Sequence, residues 1–137
     1  MPFFQIFDIA GSAMSAESVR LNVTASNLAN AQSVGGSEKE TYHARNPVFA
    51  AVLKAQNPDT PAYGVRVTGI VESQAPLERR YQPDHPQANE EGYIFMPNVN
   101  MVEEMANMIS ASRSYQTNVE VMNTSKQLLI ATLRMGQ

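Results

Sequence analysis

The placement of proline constrains this chain more than any other feature. Six of its eight prolines fall between residues 47 and 86, while 3–46 and 98–137 contain none. Proline removes an amide donor and clashes with the preceding turn, so long helices are confined to the two ends. In the first arm, from Phe3 to about Ala31, Phe7, Met14, Leu21 and Leu28 recur every seven residues, a coiled-coil period interrupted near Glu17 and Ser18. In the last arm, from Asn100 to about Met135, Met101, Met108, Tyr115, Met122 and Leu129 form an unbroken series. Met105, Val119 and Leu133 supply a partner row interrupted by Ser112 and Lys126. Asn100 is placed to cap this helix, with Glu103 positioned to reach back to it, Glu104 expected to face water and Gly136 to stop the helix. Some 35 helical residues span about 50 Å.

Local propensity opposes this pattern. Between Ser12 and Ser33 nine positions are Ser, Thr or Asn, and nine more fall between Asn107 and Ser125. Such side chains compete for backbone hydrogen bonds, and nine of them cost an isolated helix roughly 4–6 kcal/mol. Leu, Ile, Val and Phe together make up only about 22% of the chain, just above the level at which folding alone becomes difficult. The arms are therefore expected to order by packing against several neighbours. Six of the eight methionines lie in the last 42 residues, supplying unbranched side chains suited to non-equivalent contacts.

Between the arms the pattern predicts a small β-rich segment. Residues 46–53 and 64–71 read as strands, with a bulge at Gly69 and a turn over 57–61. Residues 81–87 read as an extended, proline-rich segment. The fold class is α+β: residues 1–34 as an N-terminal helix, 35–95 as the β-rich middle and 96–137 as a C-terminal helix.

Composition excludes several functions. A net charge of −3 without a basic cluster argues against nucleic acid as a partner. With no cysteine, there is no disulfide, thiolate metal site or cysteine nucleophile. No apolar run approaches a membrane span, so no direct membrane insertion is expected, and the first ten residues lack the basic flank of a cleavable signal. His43 and His85 are the only histidines, and Asp84–His85 is the one acid–base pair that a small periplasmic enzyme would use. Neighbouring side chains on an extended segment point apart, which makes this a poor catalytic pair. No cofactor or metal is expected.

Residues 25–31, Ala-Ser-Asn-Leu-Ala-Asn-Ala, resemble the amino-terminal signature of the flagellar rod and hook proteins. Residues 98–105, Asn-Val-Asn-Met-Val-Glu-Glu-Met, continuing through Tyr115 to Asn123, resemble their carboxy-terminal signature. Asn100 stands where the family usually has aspartate, which keeps the cap and loses a charge. The resemblance implies a non-enzymatic subunit of the basal body's periplasmic portion, exported unfolded through the flagellar export apparatus. It implies terminal helices packed as a coiled-coil-like tube domain, with the chain itself, other rod proteins, an adaptor protein and the membrane ring at the rod base as partners. On this reading Phe7, Met14, Leu21, Leu28, Met101, Met105, Met108, Tyr115, Val119, Met122, Leu129 and Leu133 are assembly-core positions. Asn27 and Asn30, with Asn118 and Asn123, are candidates for hydrogen bonds between helices.

Overall fold

A computed structural model describes residues 2–53 and 63–136, with side chains from Phe4 onward. Two helices, α1 (Pro2–Asn30) and α2 (Met101–Met135), enclose four strands: β1 (Arg45–Leu53), β2 (Tyr63–Glu72), β3 (Glu78–Tyr81) and β4 (Tyr93–Met96). The architecture is the expected α+β one. The turn expected over 57–61 lies outside the described residues.

The helices pack antiparallel, since Arg20 of α1 donates to Asn107 of α2 while Gln32, just past α1, reaches Met101. The seam between them is built from small and polar residues. Ala10 and Thr24 of α1 and Ala31 just past its end are buried, as are Glu104, Ala111 and Ser125 of α2. With 35 residues against 29, α2 outruns α1 by about 9 Å. Among the described residues its last turn has no partner, and residues 130–136 are all exposed.

The start of α2 follows its sequence in part. The Asn100 side chain accepts from the Val102 and Glu103 amides, satisfying two of the donors a helix N-terminus leaves open. Among the hydrogen bonds of the described residues, none returns from Glu103 to Asn100. Glu104 does not face water as expected: the seam buries it beside Arg20, Thr24 and Asn107.

β1 and β2 form a two-stranded antiparallel ribbon lying on α1, on a face distinct from the one α2 occupies. Its register runs from Arg45 opposite Glu72 to Leu53 opposite Tyr63 and shifts between Val48 and Phe49, which face Gly69 and Val67. The irregularity therefore sits beside the predicted bulge residue, with Thr68 as the extra residue bonding back to the Val48 carbonyl. β3 and β4 form a second two-stranded sheet that the sequence reading missed, because Glu-Arg-Arg-Tyr shows no apolar alternation. Its centre is Ile94, 2% exposed, and Gly35 extends it by exchanging two 3.0 Å backbone bonds with Phe95. Glycine is required at Gly92, whose φ of 79° lies in the left-handed region and whose missing Cβ leaves room for the Tyr81 ring.

Candidate functional site

α1 is used on two sides. Ala16 and Val23 are buried under the ribbon, whose Val65 amide donates to Ser12 Oγ at 3.2 Å. An open groove of about 630 Å³ follows this junction, floored by Val19, Val23 and Ile70 and rimmed by the Arg45–Glu72 ion pair. On the other side Phe7, Met14, Leu21 and Leu28 form a half-buried row interleaved with the buried seam residues.

The polar fixing of the ribbon centres on Asn27. This side chain is 1% exposed and bonds in three directions. Its Oδ1 accepts from the Arg45 amide at 2.9 Å and from the Tyr42 hydroxyl at 2.8 Å, while its Nδ2 donates to the Arg45 carbonyl at 2.8 Å. The amide thus pairs with the first residue of β1 as a neighbouring strand would. Asn98, from the second signature, acts one residue earlier. Its Oδ1 accepts from the Ala44 amide at 2.7 Å, and its Nδ2 donates to the Ala75 carbonyl at 2.7 Å. The two terminal signatures therefore converge on the root of the ribbon, where unpaired buried backbone groups would be costly.

This differs from the expected hydrogen bonds between helices. Asn27 spends its capacity on β1, while Asn30 and Asn118 each donate back to the carbonyl four residues earlier in their own helix, Ser26 and Ser114. Asn98 was missed because an asparagine before a helix reads first as a turn residue.

Among the described elements α2 packs against α1 alone, and it is apolar on the wrong side for a self-contained helix pair. Met108, Met122 and Leu129 are half-buried, and Tyr115 is at the margin of exposure. The second row toward α1 is Glu104, Ala111, Asn118 and Ser125, one residue before the row expected from apolarity. Of that expected row, Val119 is half-buried while Met105 (56%) and Leu133 (65%) point outward, as does Met101. Val102, Ile109, Val121, Leu128, Ile130 and Met135 are also exposed. Seven-residue spacing of Val121, Leu128 and Met135 was the available signal for a further row.

A polar layer crosses the helix pair. Arg20 lies 3.7 Å from Glu17 and bonds Asn107 at 3.2 Å, and Glu17 Oε2 is buried with no hydrogen-bond partner among the described residues. Such groups fix register more effectively than they stabilise.

Nothing catalytic is assembled among the described residues of the middle segment. Asp84 is exposed on the turn after β3, and His85 Nδ1 accepts from the Gln87 amide two residues on. Among the described residues no group of three or more His, Cys, Asp or Glu could hold a metal ion, and no helix is long and apolar enough to cross a membrane.

Comparison with known proteins fits the two signatures. The family described as "Flagella basal body rod protein" matches residues 7–35, and that described as "Flagellar basal body rod FlgEFG protein C-terminal" matches 90–135. The "Flagellar basal-body rod protein FlgC" of Yersinia enterocolitica is 52% identical over 137 residues, covering all of both chains. This chain belongs to the FlgC family of flagellar basal-body rod proteins. The FlgC of Salmonella typhimurium is 50% identical over the same full span. At 33% identity, the FlgC of Borreliella burgdorferi still aligns with all of this chain and 99% of its own length. The matched segments take in α1 from Phe7 onward and all of α2, so FlgC membership and the outward apolar face of α2 concern the same elements.

Proposed function

We propose that this chain is a structural subunit of the proximal rod in the periplasmic part of the flagellar basal body. Its role is mechanical and not enzymatic: copies join other rod subunits in a hollow shaft that transmits torque and surrounds an export channel. Residues 1–34 and 96–137 supply the inner tube domain, and 35–95 lie outside it. The chain reaches this place unfolded through the flagellar export apparatus, with the adaptor protein and membrane ring below it.

One observation carries the reading. The pair α1–α2 buries alanine and polar residues between its helices while α2 turns Met101, Val102, Met105, Ile109, Leu128 and Leu133 outward. Burying a side chain of this kind is worth about 1.5–3 kcal/mol. A helix that leaves so many exposed, on a backbone of poor intrinsic propensity, is suited to neighbours that cover them. Weakly self-sufficient arms also suit a chain that threads a channel before it orders. Phe7, Met14, Leu21, Leu28 and the methionine rows of α2 are assembly positions on this account.

Leu28→Asp tests it. The variant is expected to be synthesised and exported yet absent from isolated basal bodies, leaving cells non-motile. Motile cells with the variant in their rods would contradict the proposal.

A further inference from the structure

The polar layer across the helix pair leaves one charge unanswered. Glu104 is 8% exposed, yet among the described residues its carboxylate makes neither a hydrogen bond nor an ion pair. The ion pairs present join Arg20 to Glu17, Arg45 to Glu72 and Arg80 to Glu78. Arg20 is committed elsewhere, since its guanidinium faces Glu17 and donates to Asn107. The first turn of α2 offers no substitute. Asn100 Oδ1 holds the Val102 and Glu103 amides, and the Asn100 carbonyl holds that of Glu104. The helix dipole favours a carboxylate here without bonding it. Two carboxylates therefore share one guanidinium, in a place where an unpaired charge is costly.

The Glu104 carboxylate is not sealed in. It lines a pocket of about 340 Å³ between the two helices and β1, with Arg20, Thr24 and Asn107 on the helix side. Asn46 and Phe49 of β1, both exposed, form the rim. One water takes up about 30 Å³, so the space is large enough for a side chain.

We infer that this pocket receives an arginine side chain from a different, basic protein, with Glu104 as its counter-charge. A guanidinium is planar and always charged. It can set two donors on the carboxylate and others on the oxygens of Thr24 and Asn46, while its face and methylene stem lie on Phe49. An ammonium would supply the charge without the stacking. A metal ion fits poorly, because Arg20 faces the same space, and among the described residues no group of three or more His, Cys, Asp or Glu could hold one. Net charge selects an unlike partner. Thirteen acidic and ten basic residues leave each copy at −3, so a second copy brings the same excess, whereas a basic chain is attracted. The site is separate from the outward apolar face of α2.

The first test uses the purified full chain, so its failure and that of the rod reading are distinguishable. N-acetyl-arginine methylamide is titrated at constant ionic strength while backbone amide NMR signals are followed, with the citrulline analogue as a neutral isostere. Saturable shifts are expected at Thr24, Asn46, Phe49, Glu104 and Asn107. The citrulline compound is expected to need at least about tenfold more, the effect of losing a charged hydrogen bond. Glu104→Gln removes an unpaired buried charge and is expected to abolish the response while the fold persists. Asn46→Lys, at an exposed position, sets an ammonium at the mouth and is expected to abolish it too, which keeps the test decisive should Glu104→Gln not fold. Shifts that never saturate, that both compounds produce alike, or that survive either substitution overturn the site. For the partner, a benzophenone side chain replaces Phe49, and basal bodies containing the variant are illuminated. A covalent link to an arginine-bearing segment of a different protein is expected. A link only to a second copy, or none, overturns the partner.

Discussion

The two terminal helices have similar weaknesses and opposite circumstances. Both are rich in Ser, Thr and Asn, yet α1 is gripped on two sides, by α2 and by the β1–β2 ribbon, whereas α2 is gripped on one. On α1 even the polar residues are used: Asn27 pairs with Arg45, and Ser12 accepts from Val65. On α2 the bulky apolar residues are left over, with Val102 at 77% exposed. Identical propensities thus yield a spine in one case and a contact surface in the other, according to what the rest of the chain covers.

The strongest way to break this comparison is to loosen the spine. Asn27→Ala removes three bonds and strands the Arg45 backbone groups, and is expected to cost about 3 kcal/mol. It would appear as lost amide-exchange protection at Arg45 with α2 little changed; equal loss along both helices would erase the distinction. Ala111→Leu overfills a seam position that is 0% exposed, at an expected cost of about 2 kcal/mol read from denaturant unfolding. Gly92→Ala combines a left-handed backbone with contact against Tyr81 and should cost about 1–2 kcal/mol while sparing the helix pair. Arg45→Ala breaks an exposed ion pair with Glu72 and a cation–π contact with the Tyr42 ring, and about 1 kcal/mol or less is expected. Alanine at both Asp84 and His85 is expected to leave swimming in soft agar unchanged.

How much of this was visible beforehand follows the same division. The helices and the row Met108, Tyr115, Met122 and Leu129 were legible because a seven-residue period survives wherever a large side chain touches the seam. The second seam row was not, because Glu104, Ala111, Asn118 and Ser125 offer no apolar contrast, and a reading based on hydrophobicity moves to Met105, Val119 and Leu133. The ribbon was legible from its β-branched residues. The β3–β4 pairing was not, because Arg79 and Arg80 look like surface residues and Ile94 alone holds the centre. Asn27 was noticed, but two of its three bonds go to the backbone of Arg45, and no spacing rule names a backbone group distant in the chain.

The central claim is that the outward face of α2 is covered only on assembly. Leu133→Cys, introduced into this cysteine-free chain, measures that directly through the rate of maleimide labelling. The account predicts rapid labelling of the purified chain and strong protection in isolated basal bodies. Equally fast labelling in both would contradict it.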